Sequence, residues 1–370
     1  MHDRSARTIA DPEALIAALR ATGRRVIGPV ERDAAVVPAE ITGAADLPRG
    51  RVDRQGPGRY RLEDGDPDRW FDYVVGPQGW RARHTPPRRR LWSARRSAEG
   101  FEITEEEAEA WPATAFLAVR PCEIAAMRLQ DRVFAEGPGA DPDCLRRRAG
   151  TLVVAVQCAR SAETCFCASA GTGPRAEDGF DLALTELDGG FLLEIGSDAG
   201  AEVAARLDAP AATPKDRAEA EAATRAAAAA QTRRLPGTEA AALRDNPDHP
   251  RWDEVAERCL ACANCTLVCP TCFCNDAVDV TDLSGEHAER WRVTASCFEL
   301  DFSRLADAGP VRETVRGRYR QWLTHKLSSW WDQFGASGCV GCGRCIAWCP
   351  VGIDLTEEAA AIAAPEEERA

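Results

Sequence analysis

No apolar run in this 370-residue chain approaches the roughly 20 residues that a membrane-spanning helix needs. Even the alanine stretch at 226–230 is flanked by Arg225 and Arg233. The opening Met1-His2-Asp3-Arg4 leads into polar sequence with no apolar h-region, so no secretory signal is expected and the chain reads as cytoplasmic. Basic charge does not prevail: the net charge of -13 argues against a surface that tracks phosphates, and no nucleic-acid partner is expected. Histidines number only five, and neither a Ser-His-Asp arrangement nor a zinc-hydrolase motif occurs, which leaves hydrolytic chemistry without a foothold. The glycine-rich Gly171-Thr172-Gly173-Pro174 lacks the G-x-G-x-x-G spacing that opens a dinucleotide-binding helix.

Cysteine, by contrast, is abundant. Sixteen cysteines in a chain without an export signal are not expected to form disulfides, because cytosolic thiols are kept reduced, and metal binding becomes the leading explanation. Single hydrophobic cores stop growing at roughly 250 to 300 residues, so a chain of this length is expected to divide.

The spacing of apolar residues suggests an α/β N-terminal domain over 1–208, a helical connector over 209–250 and a mainly α-helical domain over 251–370, where duplicated cysteine motifs imply a dicluster ferredoxin-like fold. In the first of these, Ala115-Phe116-Leu117-Ala118-Val119 reads as a buried strand that ends at Arg120-Pro121-Cys122, with a helix over 123–130 to follow. The figure recurs at Thr151-Leu152-Val153-Val154-Ala155-Val156, which ends at Gln157-Cys158. Residues 182–187 and 191–195 flank Asp188-Gly189-Gly190 as a hairpin. Pro214 stands near a helix start in the connector, and Pro236-Gly237 lie past its end.

Two stretches carry the chemistry. Cys259, Cys262, Cys265 and Cys269 follow the spacing C-x2-C-x2-C-x3-C with Pro270 directly after; Cys339, Cys342, Cys345 and Cys349 repeat it before Pro350. Three thiolates in step on one tight loop reach three irons of a cubane, and the fourth, placed before proline, ligates the other cluster in two-cluster ferredoxins. Two [4Fe-4S] clusters are therefore expected, one on Cys259, Cys262, Cys265 and Cys349, the other on Cys339, Cys342, Cys345 and Cys269. Zinc takes two C-x2-C pairs and has no use for a third cysteine in step.

Between the motifs, Val311, Val315, Tyr319, Trp322, Leu323, Leu327, Trp330 and Phe334 recur at three- or four-residue steps, with Pro310 placed at a first helical position. The other face carries Arg312, Arg316, Arg318, Arg320 and Lys326 and reads as a solvated helix surface. Of the remaining cysteines, Cys122 and Cys158 stand beyond the ends of two strands, where open α/β sheets place their ligands. With Cys165 and Cys167 they form a candidate third iron-sulfur cluster; the competing reading is that all four are buried apolar thiols. Cys144, Cys272, Cys274 and Cys297 receive no ligand role.

Several runs together resemble one family: Val119-Arg120-Pro121-Cys122-Glu123; Thr164-Cys165-Phe166-Cys167; Cys269-Pro270-Thr271-Cys272-Phe273-Cys274; Arg318-Tyr319-Arg320-Gln321-Trp322-Leu323-Thr324-His325-Lys326; and Gly338-Cys339-Val340-Gly341-Cys342-Gly343-Arg344-Cys345. It is the group that includes the beta subunit of sulfhydrogenases and the equivalent electron-transfer subunit of anaerobic sulfite reductase. The resemblance implies an electron-transfer subunit, without catalytic residues of its own. It would relay electrons between an NAD(P)H-linked, diaphorase-type flavoprotein subunit and a nickel-iron hydrogenase subunit, or in the alternative a sulfite reductase catalytic subunit. A self-contained flavin-dependent oxidoreductase is a further reading, from a different class.

Overall fold

The computed structural model describes residues 5–74, 76–105, 110–136 and 139–365. A seven-stranded sheet forms the N-terminal part. Its strands run, from edge to edge, Ala6–Ile9, Gly190–Ile195, Leu182–Leu187, Thr151–Val156, Thr114–Val119, Arg25–Arg32 and Ala35–Ile41. The middle four are parallel, and antiparallel partners close both edges. All six residues of Thr114–Val119 and all six of Thr151–Val156 are buried, as their unbroken apolar composition requires of strands covered on both faces. These two strands are direct parallel neighbours, with Thr114 opposite Thr151, so Cys122 and Cys158 leave the sheet at the same edge.

The helix after the first of these spans Pro121–Phe134, longer than its apolar spacing suggested, with Pro121 in its first turn, where a missing N–H costs nothing. In the connector, Thr213 and Asp216 cap helix Pro214–Ala229 reciprocally. Ala220 of that helix packs on Ala6, Leu187 and Leu192 of the sheet, so the connector lies against the sheet.

The expectation of a mainly α-helical C-terminal part holds only in part, because this part also contributes strands to a sheet. Asn275–Thr281 and His287–Thr294 form an antiparallel hairpin that joins Arg88–Ser97 and Gly100–Glu105 in a four-stranded sheet. The physical reason lies in the period-2 alternation of Ala277, Asp279 and Thr281 with Val278 and Val280, and in the turn at Asp282-Leu283-Ser284-Gly285; both are strand signals. Elsewhere in this part helices prevail, among them Arg251–Arg258, Val315–Thr324 and Leu355–Ala363. The central helix begins at Val315, with the Thr314 side chain as cap, while Pro310 belongs to a two-residue strand. Its apolar stripe packs as expected from Tyr319 onwards, whereas Val311 is exposed. Among the described residues no helix is long and apolar enough to cross a membrane.

Candidate functional site

The two duplicated motifs share one backbone course. In each, the third cysteine sits in a single helical turn, Asn264–Leu267 or Arg344–Ala347, entered through a residue in the left-handed region. Those residues are Ala263, φ 65, and Gly343, φ 73; two positions earlier Ala261 (φ 50) and Gly341 (φ 63) do the same. This turn directs backbone N–H groups at sulfur: Ala261 N–H donates to Cys259 Sγ at 3.4 Å and Gly341 N–H to Cys339 Sγ at 3.5 Å.

The first motif folds against the end of the second. Cys259, Cys262 and Cys265 line, together with Cys345 and Cys349, a partly open pocket of about 460 Å³ walled by Phe298, Tyr319 and Trp322. Cys349 Sγ accepts from Ile353 N–H at 3.3 Å. Cys262 is solvent-exposed, with Leu260, Leu267 and Val351 exposed around it. In the reverse sense, Cys269 of the first motif is an electrostatic neighbour of Cys339, Cys342 and Cys345. The Cys269 thiol is held well below its ordinary pKa by a hydrogen bond from Cys272 and by the Lys326 ammonium, against the opposing effect of burial. Burial pushes Cys339 up to about 12 and Cys342 up to about 11.

The third group of sequence-selected cysteines also comes together. Cys122 neighbours Cys158 and Cys167, Cys165 neighbours the same two, and all four are buried. A β-bulge at Ala118, φ 66, shifts the register just before Arg120-Pro121-Cys122, re-aiming the chain where the sheet ends. Gln231 Nε2 donates to Cys167 Sγ at 3.2 Å, and Arg120 Nη1 lies 3.8 Å from Cys158 Sγ. The Arg120 guanidinium is buried and otherwise bonded to the carbonyls of Phe71 and Tyr73.

The second and third groups touch through backbone. Phe166 N–H donates to Gly341 O at 2.9 Å, and Cys342 is a neighbour of Cys122 and Cys167. A Cβ on Gly341 would stand 2.6 Å from the Cys167 backbone, and one on Gly343 2.3 Å from Thr164 O, so this approach requires glycine at both positions. Arg344, which follows Gly343, makes a buried ion pair with Glu123 and donates to Gly76 O at 2.7 Å.

Sequence reasoning missed several of these residues. Lys326 and Arg318, read as part of a solvated face, are buried. Arg318 donates to the carbonyls of Arg312 and Glu313, and Lys326 reaches Cys269. Gln231 carried no signal. Cys274 and Cys297 are hydrogen-bonded to one another, which holds Cys274 down to about 7. Cys144 lies apart, and burial pushes its thiol up to about 11.

The donor sets fit iron-sulfur chemistry. Each group of four offers soft sulfur alone, with backbone or side-chain N–H groups aimed at the thiols. Among the described residues no three ligating side chains converge as they would around a single metal ion; a cubane spreads its four thiolates over separate irons.

Comparison with known proteins agrees with this chemistry. The 4Fe-4S dicluster domain family matches residues 258–353, a span that holds both duplicated motifs. Sulfhydrogenase 2 subunit beta of Pyrococcus furiosus is 34% identical over 239 residues, which is 64% of this chain and 70% of that protein. The chain belongs to the sulfhydrogenase beta-subunit family and is an iron-sulfur electron-transfer protein with a [4Fe-4S] dicluster domain.

Proposed function

We propose that this chain is the electron-transfer subunit of a multi-subunit hydrogenase-type complex, relaying electrons between an NAD(P)H-linked flavoprotein subunit and a nickel-iron hydrogenase subunit. The observation that carries the reading is the serial arrangement of three cysteine groups. Cys345, counted with the second group, lines the pocket of the first, and Cys342 neighbours Cys122 and Cys167 of the third.

On this reading Cys259, Cys262, Cys265 and Cys349 hold one cluster, Cys339, Cys342, Cys345 and Cys269 a second, and Cys122, Cys158, Cys165 and Cys167 a third. When bound, [4Fe-4S] clusters supply one-electron storage and transfer at potentials set by hydrogen bonds to sulfur, nearby charge and solvent exposure. The chain's own work is to place the three thiol sets in series, shield the inner two from water and aim N–H groups at sulfur. Arg120 supports the third set by bringing a buried guanidinium to Cys158, its Nη1 3.8 Å from the sulfur, with Asp53, Asp72 and Glu186 as further counter-charges around it.

Iron and sulfide analysis of the anaerobically purified chain tests the count. About twelve irons per chain supports three clusters, and about eight removes the third. Co-purification from the native host with a flavoprotein and a hydrogenase large subunit tests the partners. NAD(P)H oxidation by the isolated chain with a dye acceptor would overturn the relay.

A further inference from the structure

Lys326 sits in the interior of the C-terminal part, 4% exposed. It lies on a π-helical turn, His325–Ser329, that interrupts the long helix between Val315–Thr324 and Trp330–Phe334; such turns occur frequently at functional sites. Its Nζ has three acceptors: Thr271 Oγ1 at 3.1 Å, Gly338 O at 3.2 Å and Cys269 Sγ at 3.3 Å. The charged groups around it are thiols, Cys269, Cys272 and Cys339. The chain has 46 basic residues, and only Lys215 and Lys326 are lysines, so an ammonium here is an exception to the chain's own usage. An ammonium is a compact point charge with three donors, which matches the three acceptors around it.

A buried cation without a carboxylate is costly; among the described residues no ion pair joins Lys326 to one, and the groups that act on it most are thiols, which can supply the counter-charge. The duplicated motifs provide an internal control. Cys349, which occupies the position of Cys269 in the other motif, accepts a neutral backbone N–H from Ile353. Arg318, an electrostatic neighbour of Cys259 in the first group, is committed to the carbonyls of Arg312 and Glu313. One added electron adds one negative charge, and a cation at the ligand sulfur stabilises that charge more than a neutral donor does.

We infer that Lys326 is a positioning residue for electron transfer that raises the redox potential of the second cysteine group above that of the first, by holding its ammonium on Cys269 Sγ. The inference rests on the proposed assignment of Cys269, Cys339, Cys342 and Cys345 to one cluster.

The test is an EPR-monitored redox titration of the full chain, loaded anaerobically, as Lys326→Met, Lys326→Gln and Lys326→Arg, with iron counted in each. The second cluster's signal is identified as the one that Cys339→Ala removes. Both neutral variants should lower that midpoint alone, with at least a tenfold fall in the ratio of reduced to oxidised cluster at fixed poise, or about 59 mV for a one-electron couple. Lys326→Arg should restore much of it. Unchanged midpoints with full iron overturn the inference while leaving the ligand assignment standing. Loss of iron from both neutral variants overturns it by making Lys326 structural. If Cys339→Ala and Cys269→Ala remove different signals, the ligand assignment itself fails.

Discussion

Ala261 and Ala263 hold a left-handed backbone that Gly341 and Gly343 adopt in the second motif. An L-residue there costs roughly 1–2 kcal/mol, part of which glycine gives back in the unfolded chain. Ala263→Gly is therefore expected to stabilise the loaded protein by about 0.5–1 kcal/mol, read from its anaerobic thermal midpoint. Gly343→Ala is expected to do the reverse and more: the new Cβ would strike Thr164 O, separating two loops and lowering iron content. Cys274 offers a prediction in pH. Because Cys297 holds its thiol down to about 7, the thiolate dominates above that pH and is lost as pH falls through it. Mass spectrometry after iodoacetamide should show Cys274 modified at pH 7.5 and Cys144, pushed up to about 11, left untouched. At this scale the ligand candidates were legible, since thiol spacing alone picks out the two motifs and strand ends pick out Cys122 and Cys158. Lys326 was not, because its charge was read as a sign of solvent although it follows Trp322 by four residues and Leu323 by three, which sets it on the apolar stripe itself.

At the level of elements, the decisive arrangement is the proposed exchange of fourth thiols between the two motif loops. Asn264 Nδ2 donates to Trp348 O at 3.2 Å, tying the loops directly. Cys269→Ala is expected to abolish the EPR signal that depends on Cys339 and to spare the one that depends on Cys259. The converse pattern would show that each motif completes its own set. The parallel strands Thr114–Val119 and Thr151–Val156 could be read from composition, because strands covered on both faces must be apolar throughout. The hairpin Asn275–Thr281 with His287–Thr294 was lost among helical neighbours. The alternation of its outer strand is short and, with every residue of it exposed, buries no face, and its partner strand lies nearly 200 residues earlier in the chain, as in the pairing of His287 with Arg95.

Across the whole molecule the three thiol groups differ in their access to water. Cys262 is exposed at the first group, whereas all four thiols of the third are buried. A soluble dysprosium chelate should therefore enhance the EPR relaxation of the cluster that depends on Cys262 far more than that of the others. Equal enhancement would mean that the inner sites are also open. The proposed exchange of fourth ligands also has a consequence in time. A ribosome delivers roughly 5–20 residues per second, and Cys349 follows Cys265 by 84 positions (349 minus 265). The first three thiols are thus made on the order of 4–17 s before their fourth partner exists. On the proposed ligand sets, cluster insertion is a late step of biogenesis, and an interrupted chain carries a three-thiol nest open to oxidation.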